Sequence, residues 1–470
     1  MFDRLCFTVV VLMASIGHGE TSVTQHADGD AVHQYTLRGD VDRLAALLRD
    51  GGDVNATTPY AVTPLSIACR NGDLASANLL IAAGADVNQP IAGRVTSLML
   101  AARAGNADLV SALIDAGADV DALQQDRQSA LMFAASEGHA DVIRCLVKAG
   151  AAINHVVPAG FTSFLLAARN GHRDVVLCLL ELGVDVQQKI DTVQTGGRRP
   201  RPRMTALMLA VESAHFDLAM DLIDHGADPN DQFSGFAPLH ALSWVRRAQM
   251  GDNPAGDPEP SVAGSMTSLQ FARALVAAGA NVNLQLKRGR GGKAKLNTKG
   301  ATPLLMACHT LDVSYAELLI DLGADATRVN ADQTTPLLAA AGIGVVNPTD
   351  GYPGTMDEAE TLIRSLVVGG SDINHRDANG ETAMHGAAYR NSPQLVRVVA
   401  SLRADPQIWN RPNRYGWTPL AIARGSRPGS FKPDPPTIEM IQALMPESKE
   451  IDDPADRATS NAVSDAAYGS

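Results

Sequence analysis

The side chains best suited by type to chemistry are two histidines, in Ala237-Pro-Leu-His240 and Thr382-Ala-Met-His385, and the carboxylates Asp357, Glu358 and Glu360. A histidine beside a carboxylate could act as a general acid or base, and a serine nearby could become a nucleophile. The chain, however, contains no H-E-x-x-H, no G-x-S-x-G, no calcium-loop pattern and no Cys/His spacing suited to zinc. Gly292-Lys293 is followed by Ala and is preceded by no strand signal, so it is not a phosphate-binding loop. The three carboxylates near 357–360 open a helix pattern, where acids meet the positive end of the helix dipole. These observations argue against an enzyme, and predict neither catalytic nor metal nor cofactor-binding residues.

Other residues suit recognition better. The segments 189–203, with Lys189 and GGRRPRPR at 196–203, and 286–300, LKRGRGGKAKLNTKG, hold eleven Lys/Arg and one Asp, Asp191, in a chain of net charge −12. Large aromatic residues gather late, as Tyr352, Tyr389, Trp409, Tyr415, Trp417 and Phe431, whereas 63–162 has no Trp. Exposed Arg, Tyr and Trp are the side chains that anchor protein interfaces. The overall acidity (pI about 5.4) argues against a nucleic-acid partner.

The elements that must carry these residues repeat. Blocks starting at Thr63, Thr96, Ser129 and Thr162 are 33 residues apart, and further starts fall at Thr205, Ala237, Thr302, Thr335, Thr382 and Thr418. A second signature follows many of them: AGADVN at 83–88, AGADVD at 116–121, HGADPN at 225–230, AGANVN at 278–283 and GGSDIN at 369–374. Thr-Pro is a good helix start, with Thr as N-cap and Pro in the first turn. Leu109, Val110, Leu113 and Ile114 form the apolar stripe of a second helix, which Gly117 stops. The period with T-P-L-x-x-A-A and G-A-D-V-N resembles the ankyrin repeat.

That resemblance implies an all-α repeat solenoid of about ten to eleven helix-turn-helix units with β-hairpin fingers over residues 30–445, counting a first unit near residue 30. It implies that a protein partner is held at the finger tips and the inner helices. Carried onto this chain, the inner-helix positions include Trp244, His309, Tyr389 and Arg390, and the finger positions Arg414, Tyr415 and Trp417. It also makes His240, His385, His139 and His172 consensus residues with structural roles.

Three insertions break the period: Arg246–Thr267, Ile343–Met356 and Gly425–Pro436, all rich in Pro, Gly and Asp. They lengthen the joint between the helices of one unit and read as turn-rich loops, of which the one at 343–356 reads as ordered. Tyr352 and Phe431 are their aromatic anchors, expected to flank a groove floored by Tyr389 and Arg390. The two basic segments lengthen fingers instead, and read either as prongs for an anionic partner or surface or as solvated, disordered loops.

At the N-terminus, Arg4 precedes an apolar run from Leu5 to Ile16 and small residues at Gly17 and Gly19. A run of twelve residues, apolar but for Thr8 and Ser15, is too short to cross a bilayer but suits a signal peptide over 1–19. Cys69, Cys145, Cys178 and Cys308 occupy repeat positions about a helix layer apart, beyond disulfide reach, and read as free buried thiols. Residues 446–470 lack apolar periodicity and are expected to form a disordered acidic tail. The chain thus reads as an exported, periplasmic or secreted, monomeric interaction scaffold. Two alternatives are an enzyme or enzyme subunit whose site the inserted loops build, and an intracellular effector.

Overall fold

The computed structural model describes residues 27–190, 203–247, 264–292, 295–345, 354–427 and 432–445. Two compact units divide the chain, Met1–His155 and Val156–Ser470. The first consists of short antiparallel helix pairs, Ala27–Arg38 with Val41–Arg49, Pro64–Asn71 with Leu74–Ala82, Ser97–Ala104 with Ala107–Asp115, and Ala130–Glu137 with Ala140–Lys148. First helices stack on first helices and second on second, as Pro64–Asn71 does on Ser97–Ala104. The second unit is itself built of such pairs, from Ser163–Asn170 to Pro435–Ala443, with one extra turn at Pro406–Trp409. Each unit is therefore a helical repeat stack, in which no pair could bury its apolar face alone.

Local chemistry fixes each helix start. Thr63 has an extended backbone (φ −99°, ψ 158°), its Oγ1 accepts the Ser66 N–H at 3.1 Å, and the Ser66 hydroxyl accepts the Thr63 N–H at 3.0 Å. Thr302, Thr335 and Thr418 cap their helices in the same way, each followed by Pro. Such a cap contributes about 1 kcal/mol.

Glycine after the first helix has a second duty besides its positive φ. A Cβ at Gly105 would lie 2.5 Å from Cε1 of His139, whose Nε2 donates to the Arg103 carbonyl at 3.0 Å. Gly171 makes the same room for His215, bonded to Arg169 O at 3.2 Å. Gly-His in the repeat is thus one device: the histidine of one pair caps the first helix of the pair before it.

The D-V-N signature links pairs at the opposite end. Asp86 Oδ1 accepts the Asn88 N–H at 2.9 Å; Asn88 then donates to Gly117 O at 2.9 Å and accepts from the Asp119 N–H at 2.8 Å. Asn230 and Asn283 make the equivalent pair of bonds in the second unit.

The fingers are tight turns instead of ladders. Among the described residues, bridges outside helices are limited to Ile91 with Val95, Lys189 with Thr205, and Gly292 with Lys295, all antiparallel and isolated. Successive fingers are joined by backbone bonds: Ala331 N–H to Lys299 O, Ala378 N–H to Asp332 O and Arg414 N–H to Asn379 O, each 2.8 Å.

Where the first long insertion opens, two arginines hold the stack together. Arg246 spans to Asp312 (2.6 and 3.0 Å), Ser268 (2.5 Å) and Ser314 (2.8 Å), while Arg247 reaches Glu358 at 2.5 Å. Glu358 also closes a capping box with Thr355 at the start of Met356–Val368, so Asp357 and Glu358 open this helix as expected, while Glu360 lies beyond the first turn and pairs with Arg364 at 2.8 Å. Cys69, Cys145, Cys178 and Cys308 form no disulfide among the described residues, as their spacing requires; Cys69, Cys178 and Cys308 are buried, whereas Cys145 is only half-buried. Among the described residues no helix is long and apolar enough to cross a membrane. The expected signal peptide at 1–19, the tail at 446–470 and the centres of all three insertions lie outside the described residues.

Candidate functional site

Each late finger is built on one buried side chain that gathers backbone N–H groups. Asn413 Oδ1 accepts from both Tyr415 and Trp417 at 3.0 Å. Asn330 Oδ1 does so for Asp332 and Thr334, and Asp377 Oδ1 for Asn379 and Glu381. This turn chemistry holds the tip residues in a fixed direction without needing strands.

On the Asn413 turn the result is a stacked trio. The Arg414 guanidinium lies 4.9 Å from the centroid of Tyr415, whose ring is 5.1 Å from that of Trp417 at 33°. Arg414 is exposed and the two rings are half-buried. Three of the expected contact residues therefore form one rigid, partly exposed patch. Trp244 is also half-buried and meets Phe236 edge-on at 4.8 Å.

The expected groove floor is different. Tyr389 has 0% of its surface exposed, and Arg390 and His309 are buried as well. Tyr389 turns towards the finger of its own pair, where its hydroxyl donates to Glu381 Oε1 at 2.8 Å, and Arg427 donates to its carbonyl at 2.6 Å. Helical position alone put Tyr389 outward; the hydrogen-bonding demand of buried Glu381 pulls the ring in. Arg390 passes beneath Gly342, where a Cβ would sit 2.8 Å from its Cγ. Burial, followed by the nearby Arg390 charge, pushes His309 down to about 4. These three serve the interior and present no contact surface. Tyr352 and Phe431 lie outside the described residues.

The basic finger at 286–300 is folded down instead of projecting. Leu296 is 9% exposed, and a Cβ on Gly344 would meet its Cβ at 2.6 Å and its N at 2.9 Å. Asn297 donates to Asp332 at 2.9 Å and accepts on its carbonyl from Asn330 at 2.7 Å. Lys287, Arg288, Arg290, Lys295 and Lys299 remain exposed on this anchored loop. The other basic segment lies outside the described residues except for its ends, Lys189 and Arg203.

One residue escaped the sequence reading. Phe233, at the tip of the finger between Thr205 and Ala237, is 47% exposed, with the Lys189 ammonium 4.5 Å from its ring centroid. Its signal was present: an aromatic residue in the turn Asp231-Gln-Phe-Ser-Gly235, where small polar residues are usual.

Groups suited to catalysis are engaged elsewhere. His240 Nε2 donates to Ala301 O at 3.1 Å, and burial pushes this imidazole down to about 4. His385 Nδ1 accepts the Thr382 N–H at 3.2 Å within a capping box, and burial takes it to about 3. Both are structural. A half-open cleft lined by Arg173, His215, Asp217, Asp221 and Ser265 offers little more. Asp221 pairs with Arg173, Asp217 accepts the Ser265 N–H at 2.8 Å, and burial lowers the pKa of His215. Of the insertion residues an enzyme would need, Arg427 is buried on Tyr389, Lys432 is exposed and Asp350 lies outside the described residues. Among the described residues, no group of three or more His, Cys, Asp or Glu could hold a metal ion.

The sequence was also compared with known families. The profile described as Ankyrin repeats (3 copies) matches residues 98–190 and 356–457, and the one described as Ankyrin repeat matches 62–91 and 203–232, together more than half of the chain.

Proposed function

We propose, from the premise that the chain belongs to the ankyrin-repeat family, that it is an exported scaffold that captures a protein partner. Ankyrin repeats generally mediate protein–protein interaction, and the observation that carries the reading here is the Arg414–Tyr415–Trp417 patch. Three side chains of the kinds that dominate interface energetics are stacked and preorganised on one turn, so little rotamer freedom is lost on docking. The concave face of inner helices and fingers, in an array of ten to eleven units, is the proposed binding side, and the insertions at 343–356 and 425–436 are proposed to border it. The protein acts as a non-enzymatic monomer, without cofactor. The short apolar run behind Arg4 supports export to the periplasm or the medium.

Affinity purification of the exported protein, with mass-spectrometric identification of what co-purifies, tests this reading. The double change Arg414→Ala with Trp417→Ala is expected to reduce capture at least about tenfold, because interface anchors each contribute about 2 kcal/mol or more. Far-UV circular dichroism should be unchanged. Replacing 345–355 by a short Gly-containing turn should weaken capture further. Undiminished capture by both variants would remove this face from consideration.

A further inference from the structure

Lys189, Phe233 and the described cations of 287–299 lie on three successive fingers of the second unit; the Lys189 ammonium packs on the Phe233 ring, and hydrogen bonds join the Phe233 finger to the basic one. Gln232, beside Phe233, donates to Gln285 O at 3.2 Å and accepts the Lys287 N–H at 3.1 Å. Gln285 in turn donates to Gly300 O at 3.1 Å and Val329 O at 2.9 Å. The finger is pinned from below by Leu296 on Gly344 and from the side by Asn297 on Asp332. Its five described cations are exposed and make no ion pair among the described residues, in a chain of net charge −12. Cations gathered on a fixed backbone and not engaged in ion pairs raise the local positive potential and favour an anionic partner.

We propose that this surface docks an acidic polypeptide segment carrying an apolar side chain between its carboxylates, a refinement that rests on the scaffold reading above. The apolar side chain covers the exposed face of Phe233, while carboxylates meet Lys189 on one flank and the forks of Arg288 and Arg290 on the other. Charge complementarity supplies the anion; the exposed ring of Phe233 supplies the apolar contact. A continuous anionic surface, whether lipid or nucleic acid, fits less well. The next finger tip carries Asp332, and Asp325 is exposed on the same pair, so a broad phosphate surface would press against carboxylates. A peptide is narrow enough to avoid both.

The test uses the full chain and a short fluorescent peptide rich in Asp and Glu with one central Phe. Fluorescence anisotropy is measured across a salt series, with a Phe→Ser peptide, phosphatidylserine vesicles and single-stranded DNA as comparison probes. Changing Lys287, Arg288 and Arg290 together to Gln should weaken peptide binding about tenfold or more and flatten its salt dependence. Phe233→Ser should weaken it several-fold and leave the salt slope alone, and the Phe→Ser peptide should lose as much on the unaltered chain. Equal affinity of the Gln variant, or tighter binding of vesicles or DNA than of the peptide, overturns the proposal. Partner capture through Arg414 and Trp417 is followed in parallel: if it persists while the acidic probe fails, only this refinement falls.

Discussion

Glu381 places its carboxylate between the Tyr389 hydroxyl at 2.8 Å and the Asn413 amide at 2.9 Å, with 3% of its surface exposed. Burial, reinforced by the neighbouring charge of Asp377, pushes it up to about 7. An acid whose folded pKa exceeds its unfolded value of 4.5 stabilises the fold when protonated, so this contribution fades as pH rises from 4.5 to about 7. His240, His309 and His385 act in the opposite sense. Their folded values of about 4, 4 and 3 lie below the ordinary 6.5, so the stability they confer is present above 6.5 and lost as pH falls towards 4. His215 adds to the histidines, and Asp231 and Asp377, both raised by burial, add to Glu381; the histidines are expected to dominate, and urea unfolding at a series of pH values should show net loss of stability on acidification. Glu381→Gln keeps an oxygen for Tyr389 and Asn413 but cannot titrate. It should steepen the acid-side loss and raise stability at pH 8 by on the order of 3 kcal/mol. A variant with the unaltered pH profile would show that Glu381 does not titrate in this window.

At the scale of elements, the anchoring of the 286–300 finger depends on one residue of a different pair. Gly344 has φ 99° and faces the backbone of Leu296, so any side chain there is both strained and in collision. Gly344→Val should lift the finger while leaving the helix Pro336–Ala341 capped by Thr335. Tryptic cleavage after Lys295 and Lys299 should accelerate several-fold, and global stability should fall by about 1–3 kcal/mol. Leu296→Ala should reproduce the faster cleavage without the backbone strain. Unchanged cleavage in both would mean that Asn297 and Asn330 hold the loop unaided. The D-V-N relay allows a milder test. Asn88→Ala removes the bonds to Gly117 and Asp119, both exposed, and should cost about 1 kcal/mol in thermal or urea unfolding.

For the whole molecule, charge is the organising quantity. In a chain of net charge −12, exposed cations cluster on the finger at 287–299 and recur at Arg411 and Arg414, and such a local basic patch steers acidic partners more than it adds affinity. Association with the captured partner should therefore slow markedly between low and physiological salt, where the screening length shrinks to about 8 Å. Stopped-flow rates independent of salt would contradict that. Export is tested separately: N-terminal sequencing of the protein from its native host should read a start near Glu20, and an intact Met1 would place it inside the cell.

Helix starts, helix stops and the repeat period were legible because they depend on neighbours in sequence. Thr63 meets its cap partner three residues on, and Asp86 meets its own two residues on. The Gly-His and D-V-N contacts span one period, so their recurrence betrayed them even though the bonds join different helix pairs. The Arg414, Tyr415 and Trp417 tip was legible too, since a turn of a few residues determines which way it points. The fate of Tyr389, Arg390 and His309 was not. Their positions on an inner helix suit outward contact, yet each is covered or drawn in by groups far along the chain. Tyr389 meets Arg427 and Asn413, and Arg390 lies under Gly342. Likewise, the composition of 286–300 established that it is basic and flexible by type, but only the packing of Leu296 on Gly344 made it an anchored surface. Periodicity determines which elements form. Whether a given side chain is exposed depends on which insertions from other repeats cover it, and insertions are the part of a repeat protein that has no period.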